Sequence, residues 1–465
     1  MNRVALGLLL FGLFMLVLAG CPGPQTPTGP VSPPATPETS PSAEGQQLSG
    51  EITLWTIWNS EPRRSALEDV VEGFETSNPG IKVKVSNIEP DAYKTKIRVA
   101  LGSDAPPDIF FVWSGEKMLR NFVRGGNCLD LTRYLDENEG AWRSRIIASS
   151  LGPYVYEGKT YGVPYLMQCT FFFYNKDIFA AHELEIPTTW DGLTQVCQKL
   201  KDANVTPIAL GNLEMWPAHH LPCVLFQRLM GHEAVMAQYD PLGPGEYSDP
   251  GWLTGLRMFD EFQKSGFFNP SPNGLSRADA RALFFGEKAA MFYTGTWDFA
   301  QLTSRGEAPS TFWDKWDFFN FPSVEGGKGE PDGLAGSPDG YVVSSKTSNP
   351  AAAVAFLKFL TSTKVANEFV GKCRELVQVN GAVDENNASW YLRKYAETVQ
   401  AAPVISPWTD TMMEGSVAKE LMNGVQAMLA GQSSAAQVLE AVRQRQAQVK
   451  KDMQATSAAV ASDEQ

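Results

Sequence analysis

An α/β fold, with a parallel sheet flanked by helices, is what this sequence predicts, and three observations carry the prediction. Between Glu51 and Trp113, short runs with alternating apolar residues are separated by stretches of helical spacing and by turn residues, in the repeating order strand, helix, turn, strand. The chain has 465 residues, 43% hydrophobic and 20% charged, which is ordinary globular composition and enough length for two domains with substantial cores. The formal net charge of −13 comes without any dense Lys/Arg run, which argues against a nucleic-acid partner.

Taken in order, MNRVALGLLLFGLFMLVLAGC places Arg3 ahead of an uncharged apolar run from Val4 to Ala19, and small residues lead into Cys21. The run is short for a spanning helix, which needs about 20 residues. The stretch resembles a bacterial lipoprotein signal, which implies cleavage ahead of Cys21 and lipid on its thiol; an uncleaved anchor helix is the alternative. Residues 1–20 are thus expected to be the signal peptide. Residues 21–49 are expected to be a Pro/Thr/Ser-rich tether, because a segment so poor in apolar side chains cannot bury enough surface to order itself.

The ordered part opens with EITLWTIW, a strand by its alternation, followed by EPRRSALEDVVEGFE as a helix and NPG as a turn. IKVKV, AYKTKIRVALGS and DIFFVW repeat the pattern. EGKTYGVP, Glu157 to Pro164, contains the Gly-Lys-Thr that ends a phosphate-cradling loop, but the position that loop needs as its first Gly is Pro153, which has no N–H. Aromatics alternate on both sides, so two short strands joined by a Glu157-Gly158 turn are expected instead. Further along, Thr189 is placed to cap WDGLTQVCQKLKDAN, and Asn349-Pro350 to cap and start AAAVAFLKFL. The stretch 433–453 has apolar residues at helical spacing and should pack on the surface, with 456–465 left as a flexible tail.

Beyond Cys21 five cysteines remain, Cys128, Cys169, Cys197, Cys223 and Cys373, with no Cys-x-x-Cys spacing. One or two disulfides beside a buried thiol are compatible with an oxidising compartment. Adjacent His219 and His220, with His232 and Cys223, are expected as a solvated or pocket-lining group rather than a metal site. No cofactor is expected.

Chemistry enters with tryptophan. Trp58, Trp113, Trp216, Trp297 and Trp408 fall where strands should end or loops begin, and in a doubly wound sheet ligands sit beyond the strand ends. A sugar presents a face of C–H groups and a rim of hydroxyls, which suits flat aromatic surfaces surrounded by fixed polar groups. Asn59, Glu61, Gln168 and Asp339 are the candidates for hydroxyl readout. Gly295 is expected to let the backbone turn sharply so that Trp297 projects into a cleft, with Asp298 beginning a helical run away from it.

YEGKTYGVPY followed by FFFYNKDIF, IPTTWDGL, TPIALGN, GEKAAMFYTGTWDF and SPDGYVVSSKTSNPAAAVAFLKFLTS resemble, in order and spacing, the carbohydrate-binding extracellular solute-binding proteins of ABC transporters, the family that includes maltose-binding protein. The resemblance covers Gly50 to about Met453. It implies a two-lobed α/β fold of the type II periplasmic-binding-protein kind, with a ligand cleft between lobes joined by hinge crossings near Met167 to Thr170, Lys315 to Asn320 and Ser344 to Thr347. Residues 50–167 and 318–345 would form lobe 1, and 168–317 and 346–455 lobe 2. Trp297 matches the family's stacking aromatic in a Gly-x-Trp segment, Trp113 lies near the aromatic after the DIFF strand, and Trp408 falls in a late aromatic loop. Gln168 stands where the maltose binder has a carboxylate, so ligand identity does not carry over.

The function so implied is that of a monomeric, lipid-anchored, extracytoplasmic binding protein. It would hand a carbohydrate to permease subunits driven by a cytoplasmic ATPase, and would not be an enzyme. The rivals are a glycoside hydrolase, for which no carboxylate pair is marked out by sequence, and a receptor for a peptide or siderophore, which shares the anchor and the cleft.

Overall fold

The computed structural model describes residues 48–239 and 246–463, with side chains as far as 455. The expected signal peptide, Cys21 and all but the last residues of the expected tether lie outside the described residues.

The described strands are β1 (Gly50–Thr56), β2 (Ile81–Asn87), β3 (Ile109–Trp113), β4 (Val155–Tyr156), β5 (Lys159–Thr160), β6 (Val163–Asn175), β7 (Thr206–Ala209), β8 (Ala289–Gly295), β9 (Trp316–Phe319), β10 (Leu334–Val343) and β11 (Ile405–Ser406). Nine of them form one sheet in the order β2-β1-β3-β10-β6-β8-β7, with β11 added to β10 and β9 to β6. The expected parallel pairing holds for β1 with β2 and β3 and for β7 with β8. The long strands β6 and β10 return antiparallel, so the sheet is mixed.

Local sequence accounts for the first layer. Helix α1 (Arg63–Ser77) buries Ala66, Leu67, Val70 and Phe74 along one stripe. Helix α2 (Pro90–Leu101) starts on Glu89, whose carboxylate accepts from the N–H groups of Asp91 and Ala92. Thr189 and Asn349 cap their helices as expected. The Gly-Lys-Thr stretch is the β4-β5 hairpin, turned at Glu157 (φ 49°) and Gly158 (φ 76°), the double positive φ of a tight two-residue connection.

β6 organises the molecule. Val163 to Cys169 pair with β10, and Thr170 to Asn175 pair with β8 and β9, so the strand changes partners where the first crossing is expected. Its run FFFYN is buried on both faces: Phe171 and Phe173 meet Phe318, while Phe172 and Tyr174 meet Phe319.

The second and third crossings fall elsewhere. β9 still pairs wholly with the second half of β6. Ser344, Ser345 and Thr347 are bonded to Asp108 and Asn127 of the first half. Helices Pro350–Leu360 and Thr363–Cys373 stay there too, with Phe74 of α1 meeting Phe356 and Phe359 at 5.2 and 5.5 Å. Only with helix Trp390–Ala401, whose Tyr391 and Tyr395 meet Phe299, does the packing change over. An alanine-rich helix lies flat against whichever neighbour it meets, so its sequence carries no mark of which half it joins.

At the C-terminus, helix Ala435–Asp463 buries Val438, Leu439 and Val442 and packs against helices Gly415–Leu429 and Pro250–Lys264. It runs on through most of the residues assigned to a tail. All five cysteines from Cys128 to Cys373 are buried free thiols, not disulfide partners, and Cys223 Sγ meets His219 Nε2 at 3.2 Å and Thr409 Oγ1 at 2.5 Å. Among the described residues no helix is long and apolar enough to cross a membrane.

Candidate ligand-binding site

A cavity of about 360 Å³ is lined by Gln168 of β6 together with strand ends and loops from both halves, within the range of about 300 to 1,000 Å³ typical of ligand sites.

One wall is aromatic. Trp216 opens helix Trp216–Met230 after a γ-turn in which its N–H bonds Glu214 O across Met215, a non-glycine residue at φ 67°. Such strain is held only where the surroundings over-determine it, and here Asn212 Oδ1 accepts the Ala218 N–H to fix the helix start. The rings of Trp216 and Trp297 meet edge to face at 5.6 Å, and Trp297 and Trp408 at 5.8 Å. One turn after Trp216, His220 stacks on Trp408 at 5.1 Å and 12°. Its Nε2 lies 3.4 Å from Asp410 Oδ1. Burial pushes the Asp410 carboxyl up, but His220, His219 and Lys117 outweigh burial and hold it below the usual carboxylate range. His219, behind this layer, is kept neutral by burial, which pulls its pKa to about 3, and its Nε2 faces Thr409 Oγ1 at 2.5 Å.

The facing wall comes from the first half. Trp113, at the end of β3, packs edge to face on Tyr93 and Phe111, with the Lys94 ammonium 5.4 Å from its ring. Asn59 and Glu61 line the cavity just beyond β1. Arg63 Nε and Nη2 donate to the two oxygens of Glu375 at 2.6 Å each, a bidentate pair. Gln168 Nε2 donates to Glu375 at 3.4 Å, and its Oε1 accepts from Thr296 at 2.8 Å.

Below Trp297, the fully buried Asp298 accepts from Arg277, Arg281 and Thr294, each at 2.6 Å. Burial alone would raise its pKa, but the two guanidinium groups lower it to about 2. Asp339 contrasts with it. It is 8% exposed, its Oδ1 is sealed from solvent without a partner, and burial pushes the carboxyl well above the usual range. Trp297 Nε1 is likewise buried without a partner.

Asn59, Glu61, Trp113, Gln168, Trp216, Trp297, Asp339 and Trp408 all line the cavity. Trp58 does not: it is 1% exposed and packs on Tyr165, Tyr341 and Phe369 in the core. Ile57 and Asn59 on either side of it line the cavity, so the loop that follows β1 reaches the cavity while the Trp58 side chain turns into the core. Two local expectations change as well. Gly295 is extended (φ −103°), and its lack of a side chain makes room for the Trp297 ring, which a Cβ would meet at 2.3 Å. Asp298 is the buried partner of two arginines and closes the 3-10 turn Thr296–Asp298, which a second such turn follows at Ala300–Leu302.

Sequence reasoning missed Arg63, Glu375, Arg277, Arg281 and Asp410, while His220, expected as solvated or pocket-lining, lines the cavity. His220 follows Trp216 by one helical turn, whereas Arg277 and Arg281 share one face of helix Arg277–Phe285, which carries none of the named Trp residues to point to them. Arg63 and Glu375 stand 312 residues apart, with no local signal.

Two α/β halves joined through a shared strand, with an aromatic and hydrogen-bonding cavity made by both, define a cleft-type binding protein. The model of the bacterial extracellular solute-binding protein family matches residues 58–367, and the chain belongs to that family. An uncharacterised ABC transporter extracellular-binding protein of Pyrococcus horikoshii is 26% identical over 79% of this chain and 78% of its own length. The multiple sugar-binding protein of Streptococcus mutans is 22% identical over 75% and 80%. Among solved structures, a chitin oligosaccharide binding protein superposes with a TM-score of 0.79 at 26% identity, covering 87% of this chain and 99% of its own. These relatives are binding proteins rather than enzymes, and the fold is the two-lobed one of their class.

Proposed function

We propose that this protein captures a sugar or oligosaccharide in the cavity and delivers it to the permease subunits of an ABC transporter, held at the outer face of the membrane by a lipid on Cys21. The observation that carries the reading is the wall of Trp216, Trp297 and Trp408 facing Trp113 across fixed polar groups. Stacking on these rings takes up the C–H faces of a sugar, and the Asn59, Gln168 and Asp339 side chains read its hydroxyls. Relatives named for multiple sugars, for galactooligosaccharide and for chitin oligosaccharide support the ligand class.

Titration calorimetry with xylo-, chito- and galacto-oligosaccharides tests it. One-site binding is expected, with the sugar recovered unchanged and a smaller radius of gyration by small-angle scattering as the lobes close. Failure of every saccharide to bind, or release of hydrolysed product, would overturn the reading. The anchor is tested separately, since Cys21→Ala should move the protein from the membrane to the soluble fraction.

A further inference from the structure

Asp339 sits on β10 opposite Trp113 of β3 and Leu166 of β6, with a register irregularity between it and Gly340. Such irregularities re-aim side chains beside functional sites. Its carboxyl lines the cavity at 8% exposure, yet its buried Oδ1 has no hydrogen-bond partner, and the side chains around it are bonded to other groups. Arg63, from α1, gives Nε and Nη2 to Glu375. The Tyr154 hydroxyl donates to Pro338 O, the Tyr395 hydroxyl to Met167 O, and the Tyr341 hydroxyl is paired with Thr56 Oγ1. The Gln168 amide is bonded to Glu375 and Thr296.

The charged and titratable groups facing Asp339 are Arg63 of α1, Tyr154 of the turn Gly152–Tyr154, Tyr341 of β10, Tyr395 of helix Trp390–Ala401 and Glu375. Burial holds the three tyrosines as neutral phenols. A buried carboxylate without a donor is the costly arrangement. A neutral acid there has one O–H donor, and the cavity is the space open to it. Burial is the main cause favouring the neutral form, the Glu375 carboxylate adds to it, and the Arg63 guanidinium opposes it.

We propose that Asp339 meets the ligand as a neutral carboxylic acid that donates its O–H to a ligand oxygen, which makes capture proton-dependent. The proposal rests on the cavity being a saccharide site. Affinity is then constant at acidic and neutral pH and falls about tenfold per pH unit once Asp339 ionises in the free protein. A carboxylate accepting sugar hydroxyls gives the opposite profile, with affinity lost on the acid side.

Two measurements separate the parts. In ligand-free protein carrying 13C-carboxyl aspartate, the resonance assigned through Asp339→Asn should show a neutral acid at neutral pH. A titration midpoint near the ordinary value of about 4 overturns the proposal without any ligand. Calorimetry then uses chitotetraose, or xylotetraose if that binds more tightly, from about pH 5 to about pH 9. Asp339→Asn keeps a donor of the same shape, so it should stay within about threefold of the parent protein at neutral pH with a flat profile. Asp339→Leu should lose about tenfold or more. Asn binding as poorly as Leu, or affinity that rises with pH, overturns the proposal. If the parent protein binds no saccharide while the resonance is that of a neutral acid, the saccharide reading falls and takes the donor role with it.

Discussion

Gly295→Ala is the sharpest probe of the aromatic wall, because it touches the wall without removing any part of it. An added Cβ would lie 2.3, 2.4 and 2.5 Å from Cζ3, Cη2 and Cε3 of the Trp297 ring. Carbon atoms pack at about 3.5 to 4.0 Å, so the indole has to retreat by about 1 Å or more. The backbone absorbs none of this, since φ −103° and ψ 173° at Gly295 suit alanine. Retreat is resisted by Trp216 and Trp408, whose rings hold Trp297 edge to face. Overpacking of this kind costs about 1 to 3 kcal/mol, and losing a well-placed aromatic anchor costs a binding site about 2 kcal/mol or more. A drop in affinity of about tenfold or more is therefore expected.

The assay is calorimetry on four proteins: the parent, Gly295→Ala, Trp297→Ala and the double variant. The three atoms nearest the added Cβ all belong to the indole, so with the indole gone Gly295→Ala should cost much less affinity in the Trp297→Ala background. The coupling should then account for most of the single effect. Equal losses in both backgrounds would refute the argument that Gly295 acts through the ring. A large fall in the melting temperature of ligand-free Trp297→Ala would mean that the residue is core and not wall.

Trp58→Ala should cost about 3 to 5 kcal/mol of stability by emptying the space among Tyr165, Tyr341 and Phe369, while the fraction that folds binds sugar within a few-fold of the parent; urea melts beside calorimetry check both. Asp298→Asn leaves Arg277 and Arg281 facing an amide in place of the buried carboxylate, and breaking such a pair costs about 3 kcal/mol or more at neutral pH. The Asp298 pKa is lowered to about 2 against an unfolded value of about 3.9, so its contribution is complete above about pH 4 and lost as the pH falls toward about 2. Urea melts should show the parent losing stability across that window by more than the variant; parallel curves would contradict it.

The parts legible in the sequence are those fixed locally. Strands and helices of the first layer, the helix caps at Thr189 and Asn349 and the hairpin at Gly158 follow from residues within a few positions of one another. Aromatics at strand ends are legible because a strand end is a local feature too, whereas the direction Trp58 takes, two residues past β1, is set by Tyr165, Tyr341 and Phe369 from distant parts of the chain. What could not be read was pairing at a distance. Arg63 finds Glu375 across the fold, and the helix Pro350–Leu360 joins the first half because Phe356 and Phe359 fit Phe74. The cysteines were ambiguous for the same reason, since their separation in the fold, not their count, decides whether they pair.

The amide at Gln168 has a physical cause in the structure, since its side chain faces Glu375 Oε2 at 3.4 Å, with Thr296 donating from the other side at 2.8 Å. An amide satisfies both neighbours, donating to one and accepting from the other. A carboxylate would still accept from Thr296, but it would set a like charge against Glu375, whose two oxygens are already occupied by Arg63. Gln168→Glu should therefore have its new carboxyl raised in the folded protein. A raised carboxyl binds its proton more tightly folded than unfolded, so the variant should nearly match the parent below about pH 4, where both states are protonated, and fall behind as the pH rises. Thermal melts at about pH 4 and about pH 8 measure the difference, and a deficit that is the same at both would show that Glu375 does not dictate the residue at 168.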